Sequence, residues 1–284
     1  MQIIRTIAEL RAALEPGRKR ILVPTLGNLH AGHLSLVRIA RERGELVVTS
    51  IFVNRLQFAP HEDFATYPRT FERDCELLAA GGCDIVFAPG DGEIYPEPQE
   101  CTVRPPAQLT DILEGRVRPG FFTGVCTVVL KLFNIVQPDA AVFGKKDYQQ
   151  LLVVRSMVRQ LALPVEMLAG ETVREASGLA LSSRNGYLNE SQRAEAAQLH
   201  ASLSTLAAQA RFGRADWQAL EREAQDSLRA RGWQPDYVAV RLRADLREPS
   251  AAPTSAGRPS GGEPLVVLAA ARLGTTRLID NLEF

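Results

Sequence analysis

Pro24-Thr25-Leu26-Gly27-Asn28-Leu29-His30-Ala31-Gly32-His33 joins two unlike patterns. Ahead of it, the apolar, β-branched run Ile21-Leu22-Val23 reads as a buried strand; behind it, Leu34 to Ile39 has the amphipathic spacing of a helix. Strand, glycine turn and helix together form an anion site. The turn lets backbone N–H groups approach a phosphate, and the helix N-terminus adds roughly half a positive charge. The spacing Gly27-x-x-x-x-Gly32 imitates a P-loop, yet His33-Leu34 stands where a Walker motif carries Lys and Ser/Thr. The stretch reads as a phosphate-binding turn with imidazole in place of lysine.

His30 and His33 are two of only four histidines in the chain, and three-residue spacing puts them on one side of the first helical turn. A local cap or packing pair is one reading, and a metal pair another. Zinc is disfavoured, because no Cys/His cluster with ligand spacing lies nearby. As donors at a helix N-terminus, the two rings suit the phosphates of a nucleotide and the charge of its transition state.

Outward from this turn, strands and helices alternate. Strand Arg20–Thr25 and a helix to about Gly44 are followed by strand Leu46–Val53, helix Arg69–Ala80 and strand Asp84–Ala88. After a proline-bearing irregular segment come helix Val125–Val136, strand Ala140–Phe143, helix Gln149–Leu161 and strand Val165–Ala169. A short strand and a helix ending near Gly17 precede them. Continuous apolar strands alternating with helices predict an α/β fold, a Rossmann-like, doubly wound parallel sheet, in residues 1–173. Ligands in such sheets bind beyond the carboxyl ends of the strands, and His30, Asn54 and Lys146 all follow strand ends. Residues 174–284 read as a smaller C-terminal α+β domain, able to close over the first. It has helices Glu190–Ala210 and Asp216–Arg231 and strand-like runs Tyr237–Leu242 and Pro264–Ala269. Glu248–Pro264, rich in Pro, Ser, Gly and Ala, is expected to be a flexible surface insertion.

Composition excludes several classes. The 284 residues are 45% hydrophobic, enough for a substantial core, and 33 basic residues balance 33 acidic ones. Zero net charge argues against a nucleic-acid partner. No apolar run reaches the roughly 18 residues of a membrane span, and the first residues lack a signal-peptide pattern. The four cysteines show no C-x-x-C spacing and read as buried thiols of a cytoplasmic protein.

Three further clusters carry candidate chemistry. Asn54 and Gln57 are neutral amides suited to hydroxyls and a carboxylate, or else ordinary turn residues. In Gly144-Lys145-Lys146-Asp147-Tyr148-Gln149-Gln150 a lysine follows a strand end, where it can neutralise a phosphate oxygen, or simply be a solvated loop charge. Ser182-Ser183-Arg184-Asn185 offers hydroxyls and a guanidinium as a phosphate clamp, or a helix-capping loop. Arg116 and Arg118 suit acidic ligand groups or the surface equally. Glu72 and Asp74 are weak magnesium candidates.

These residues in this order resemble the pantothenate synthetase (pantoate–β-alanine ligase) family of HxGH nucleotidyltransferases. The similarity runs through Phe52-Val53-Asn54, Gln57-Phe58, Tyr67-Pro68-Arg69-Thr70, the Lys146 and Ser182 clusters and Leu278-Ile279-Asp280-Asn281. The resemblance implies ATP-dependent condensation of pantoate with β-alanine through a pantoyl adenylate, releasing AMP and pyrophosphate. It implies catalytic roles for His33, His30 and Lys146. The ATP contacts it implies are Leu26, Gly27, Gly144, Asp147, Val173, Leu181, Ser182, Ser183 and Arg184. Gln57, Gln150, Asn54, Pro24 and Leu26 are placed on substrate. It further implies a homodimer, with Mg2+ arriving on the ATP phosphates and no dedicated protein metal site. Five positions depart from the family pattern: Leu26 for Met, Arg55 for Pro, Phe121 for His, Lys145 for an acid and Ser177 for Asp. Two rivals remain: a nucleotidyltransferase acting on another acid or on a phosphate ester, and a nucleotide-binding or regulatory relative whose turnover is impaired by Arg55 and Lys145.

Overall fold

The computed structural model describes residues 1–60, 62–250 and 264–284. The chain divides into two compact units, Met1–Lys145 with Val153–Thr172, and Lys146–Leu152 with Val173–Phe284. Lys146–Leu152 thus belongs with the second unit, although it interrupts the first in sequence order.

The first unit opens with β1 (Gln2–Ile4), α1 (Ile7–Ala13), β2 (Arg20–Thr25), α2 (Ala31–Arg43), β3 (Leu46–Ile51), α3 (Phe71–Ala80) and β4 (Ile85–Phe87). Short helices α4 (Asp91–Ile94), α5 (Ala107–Thr110) and α6 (Leu113–Val117) fill the proline-bearing segment. α7 (Phe121–Val136), β5 (Ala140–Gly144), α8 (Tyr148–Gln160), whose residues up to Leu152 belong with the second unit, and β6 (Glu166–Gly170) follow. The six strands form one parallel sheet in the order β1-β4-β3-β2-β5-β6. Its four inner strands, β2 to β5, are buried along most of their length, with Ile21, Val23, Val47, Val86 and Val142 in the core against Val37 and Ala40 of α2. That burial explains the unbroken apolar runs.

The second unit carries α9 (Glu190–Arg211), α10 (Trp217–Ala230) and the antiparallel sheet β7 (Gln234–Leu242), β8 (Leu265–Leu273) and β9 (Thr276–Glu283). Leu203, Leu206, Leu220 and Leu228 of the helices share a core with Trp233, Val240 and Val267.

Four sequence expectations are corrected. α1 stops at Ala13 rather than near Gly17, because Pro16 disfavours helical backbone at Glu15. β3 ends at Ile51, two residues early, where Asn54 begins to cap a 3-10 turn. α7 begins at Phe121 instead of Val125, running straight through Gly124. β9 is a strand that the sequence pattern does not predict: Asp280 and Asn281 break its apolar alternation, and a two-residue loop with Gly274 at φ +61° folds it tightly onto β8. Of the insertion expected at Glu248–Pro264, residues 251–263 lie outside the described residues.

Candidate active site

In the parallel sheet, strand order reverses between β2 and β5, the switch point at which open α/β sheets leave a ligand crevice. The β2 end carries Pro24, Leu26 and the glycine turn, the β5 end carries Gly144, and β3 delivers Asn54 from β2's other side.

The turn is held by a buried acid. Both carboxylate oxygens of Asp74, 1% exposed, accept backbone N–H groups of the turn, from Asn28 and Leu29 at 2.8 Å each. Thr70 Oγ1 donates to the same carboxylate at 3.1 Å. Gly27 sits at φ +84°, and a Cβ there would lie 3.2 Å from Asp74 Oδ2, so the turn needs glycine twice over. Thr25 ties β2 to β3 by donating its hydroxyl to the Ser50 carbonyl at 2.7 Å. Asp74, weighed as a magnesium ligand, is therefore a loop anchor.

The two histidines cap α2 reciprocally. His30 Nδ1 accepts the Gly32 N–H at 3.2 Å, and His33 Nδ1 accepts the His30 N–H at 3.3 Å. The rings lie 4.1 Å apart, centroid to centroid. A backbone N–H can only donate, so each Nδ1 is an acceptor and each neutral ring carries its proton on Nε2. The structure shows the local-cap reading, and capping with Nδ1 leaves the ring proton on Nε2 at a helix N-terminus.

The amide pair is ordered by the same logic. Asn54 is fully buried, and its Oδ1 accepts from the Leu56 N–H at 3.3 Å and the Tyr95 hydroxyl at 2.7 Å. Burial raises the Tyr95 phenol well above its ordinary value, keeping it a donor. Asn54 Nδ2 donates to the Gly124 carbonyl at 3.1 Å and to Gln57 Oε1 at 3.1 Å. Gln57 therefore faces Asn54 with its oxygen and turns its NH2 the other way. Arg118 supports this turn, donating to the Gln57 carbonyl at 3.1 Å while forking Glu62 at 2.6 and 2.7 Å. Arg118 is thereby committed to protein partners. Tyr95, Gly124 and Glu62 escape a reading of the sequence, since nothing local marks residues that meet Asn54 and Gln57 only in three dimensions.

In the second unit, Lys146 and Asp147 lie in a 3-10 turn leading into α8, which carries Gln150. Val173 and Leu181, both half-buried, are joined by a hydrogen bond from the Leu181 N–H to the Val173 carbonyl at 2.9 Å. Ser182 caps the following 3-10 turn, Ser183–Tyr187, its hydroxyl oxygen accepting the Arg184 N–H at 3.3 Å. Among the described residues no cluster of three or more His, Cys, Asp or Glu is arranged to hold a metal, and no helix is long and apolar enough to cross a membrane.

Residues 2–283 match the family described as Pantoate-beta-alanine ligase. The chain is also 61% identical to the pantothenate synthetase of Leptothrix cholodnii, with both chains covered in full. The chain belongs to the pantoate–β-alanine ligase family. Among solved structures it resembles the pantothenate synthetase of Thermus thermophilus, at 46% identity and a TM-score of 0.91 over 99% of each chain. It also resembles the pantoate–β-alanine ligase of Francisella tularensis, complexed with Beta-gamma ATP and Beta-alanine: 30% identity and a TM-score of 0.82 over 99% and 97% of the two chains.

The departures from the ligase pattern are absorbed locally. Arg55 pairs with Asp91 at 2.9 Å and lies over the Tyr95 ring at 5.1 Å. Lys145 pairs with Glu171, and the Phe121 ring lies 3.8 Å beneath the Arg118 guanidinium. Ser177 Oγ accepts the Leu179 N–H at 3.4 Å, and Leu26 is half-buried. The family match does not favour the reading of a relative with impaired turnover.

Proposed function

We propose that this ligase joins pantoate to β-alanine in two steps, with the capped histidine pair as its phosphate-binding donors. The pantoate carboxylate attacks the α-phosphorus of ATP, forming the acyl–phosphate bond as pyrophosphate leaves. The β-alanine amine then attacks the acyl carbon, forming the amide as AMP leaves and the nitrogen loses its proton. The observation that carries this reading is that His30 and His33 each spend Nδ1 on the backbone, which supports Nε2–H donation to phosphate oxygens as charge builds on them. Lys146 adds a point charge for the same oxygens, with Ser182, Ser183 and Arg184 on the triphosphate.

Gly27, Gly144, Asp147, Val173 and Leu181 are the remaining nucleotide contacts. The Gln57 NH2 donates to pantoate, Gln150 assists, and Pro24 and Leu26 border it; Asn54 acts by aiming Gln57. With Asp74 committed to the turn, the acids near the histidines do not fit a magnesium cage, and Mg2+ comes with ATP, held by phosphates and water. The family likeness supports a cytoplasmic homodimer, which sedimentation and cell fractionation test.

ATP–pyrophosphate exchange is the deciding assay. Exchange that requires pantoate, with pantothenate formed only after β-alanine is added, is the expected result. Exchange supported by a different acid, or ATP binding without exchange, would overturn the reading.

A further inference from the structure

The last strand of the chain grips the lysine turn. Side chains alternate along β9, so Asn281 and Glu283 share one face and Asp280 takes the other. Asn281 Nδ2 donates to the backbone carbonyl of Lys146 at 2.9 Å. Two residues on, Glu283 accepts the hydroxyl of Tyr148 at 3.0 Å. The turn from Lys146 to Tyr148 is thus pinned at both ends by neighbouring side chains of one strand. A carbonyl only accepts, so the amide nitrogen of Asn281 must face Lys146.

Asn281 is itself fixed from behind. Its N–H donates to Asp280 Oδ1 at 2.7 Å, and its carbonyl accepts from Arg174 Nη2 at 3.0 Å. Arg174 forks the Asp280 carboxylate at 2.7 and 2.9 Å, and that carboxylate is almost wholly buried. The Lys146 backbone is therefore anchored, through one side-chain amide, to a bidentate ion pair. A lysine ammonium rides on a flexible four-carbon stem, so its mean position depends on where its backbone is held.

We propose that Asn281 is a positioning residue for Lys146, holding its backbone so that the ammonium meets the phosphates during adenylation. This rests on the reading of Lys146 as a phosphate-binding group. The test is single-turnover adenylation by Asn281→Asp, which keeps the shape and replaces the donor by oxygen, and by Asn281→Ala, each made alone and with Lys146→Ala. In the native background each is expected to slow adenylation about tenfold or more, the cost of a misplaced reacting group, with the ATP KM moving less than about twofold. With Lys146→Ala present, the same changes are expected to alter the residual rate by less than about twofold, because the group they position is gone. Equal losses in both backgrounds, or no loss in the native one, would overturn the proposal. Lys146→Ala at the native rate would overturn the reading of Lys146 itself, and the positioning role with it.

Discussion

A single atom decides much at the β3 end. Gly124 lies where α7 backs onto the 3-10 turn of Leu56 and Gln57; a Cβ there would fall 2.1 Å from the Leu56 carbonyl oxygen. Gly124→Ala must therefore push the turn away, at about 1–3 kcal/mol of overpacking, and disturb the Asn54–Gln57 amide pair. The expected outcome is a higher pantoate KM, with ATP affinity by calorimetry close to native; a native pantoate KM would count against Gln57 as a pantoate donor. The histidines make the sharper test. His33→Ala removes one Nε2–H donor and the cap on the His30 N–H. Pantoate-dependent exchange is expected to fall by about 10²–10³-fold, as for the loss of one transition-state donor. The histidine spacing and the glycines were legible because they are local. Asp74 was legible only as an acid, since its grip on the Asn28 and Leu29 N–H groups spans more than forty positions of chain.

Elements read well where burial is two-sided. β2 is found over Arg20–Thr25 as the sequence predicts, because a strand covered on both faces leaves an unbroken apolar signal. β9 gave no such signal: its Asp280 and Asn281 serve the Arg174 and Lys146 contacts instead of alternating with solvent-facing polar groups. That same departure from pattern makes the strand sensitive to acid. Burial alone would raise the Asp280 carboxyl, but the nearby His200 ring, the forking Arg174 guanidinium and the Asn281 N–H outweigh it and hold the pKa below its ordinary value. The unfolded chain thus takes up this proton at higher pH than the folded one. The stability Asp280 contributes is complete above about pH 4 to 5 and is lost as pH falls through the lower folded value. Asp280→Asn leaves the Arg174 guanidinium without its charge partner, at about 3–5 kcal/mol. Urea unfolding should show that gap in full at pH 7 and a narrower one below pH 4; a gap unchanged in acid would remove Asp280 as its source.

For the whole molecule, zero net charge and ligand choice belong together. With 33 cations and 33 anions the chain has no surplus field to gather polyanions, so the proposed phosphate recognition has to rest on placed donors such as the histidine pair. Placed donors discriminate by geometry, and a ligand that satisfies them stabilises the folded state by mass action. At about a hundred times its Kd, a ligand adds about 2.7 kcal/mol. For a chain of this size that raises Tm by about 4–5 °C. ATP together with pantoate is expected to produce such a shift, and duplex DNA at the same phosphate concentration none. His33→Ala should cut the ATP-dependent part of the shift while lowering Tm without ligand by only about 2 °C, because His33 is half-buried and the loss of a helix cap, here on the His30 N–H, costs about 1 kcal/mol. A DNA-induced shift of similar size would mean that bulk charge, not the capped imidazoles, selects the ligand.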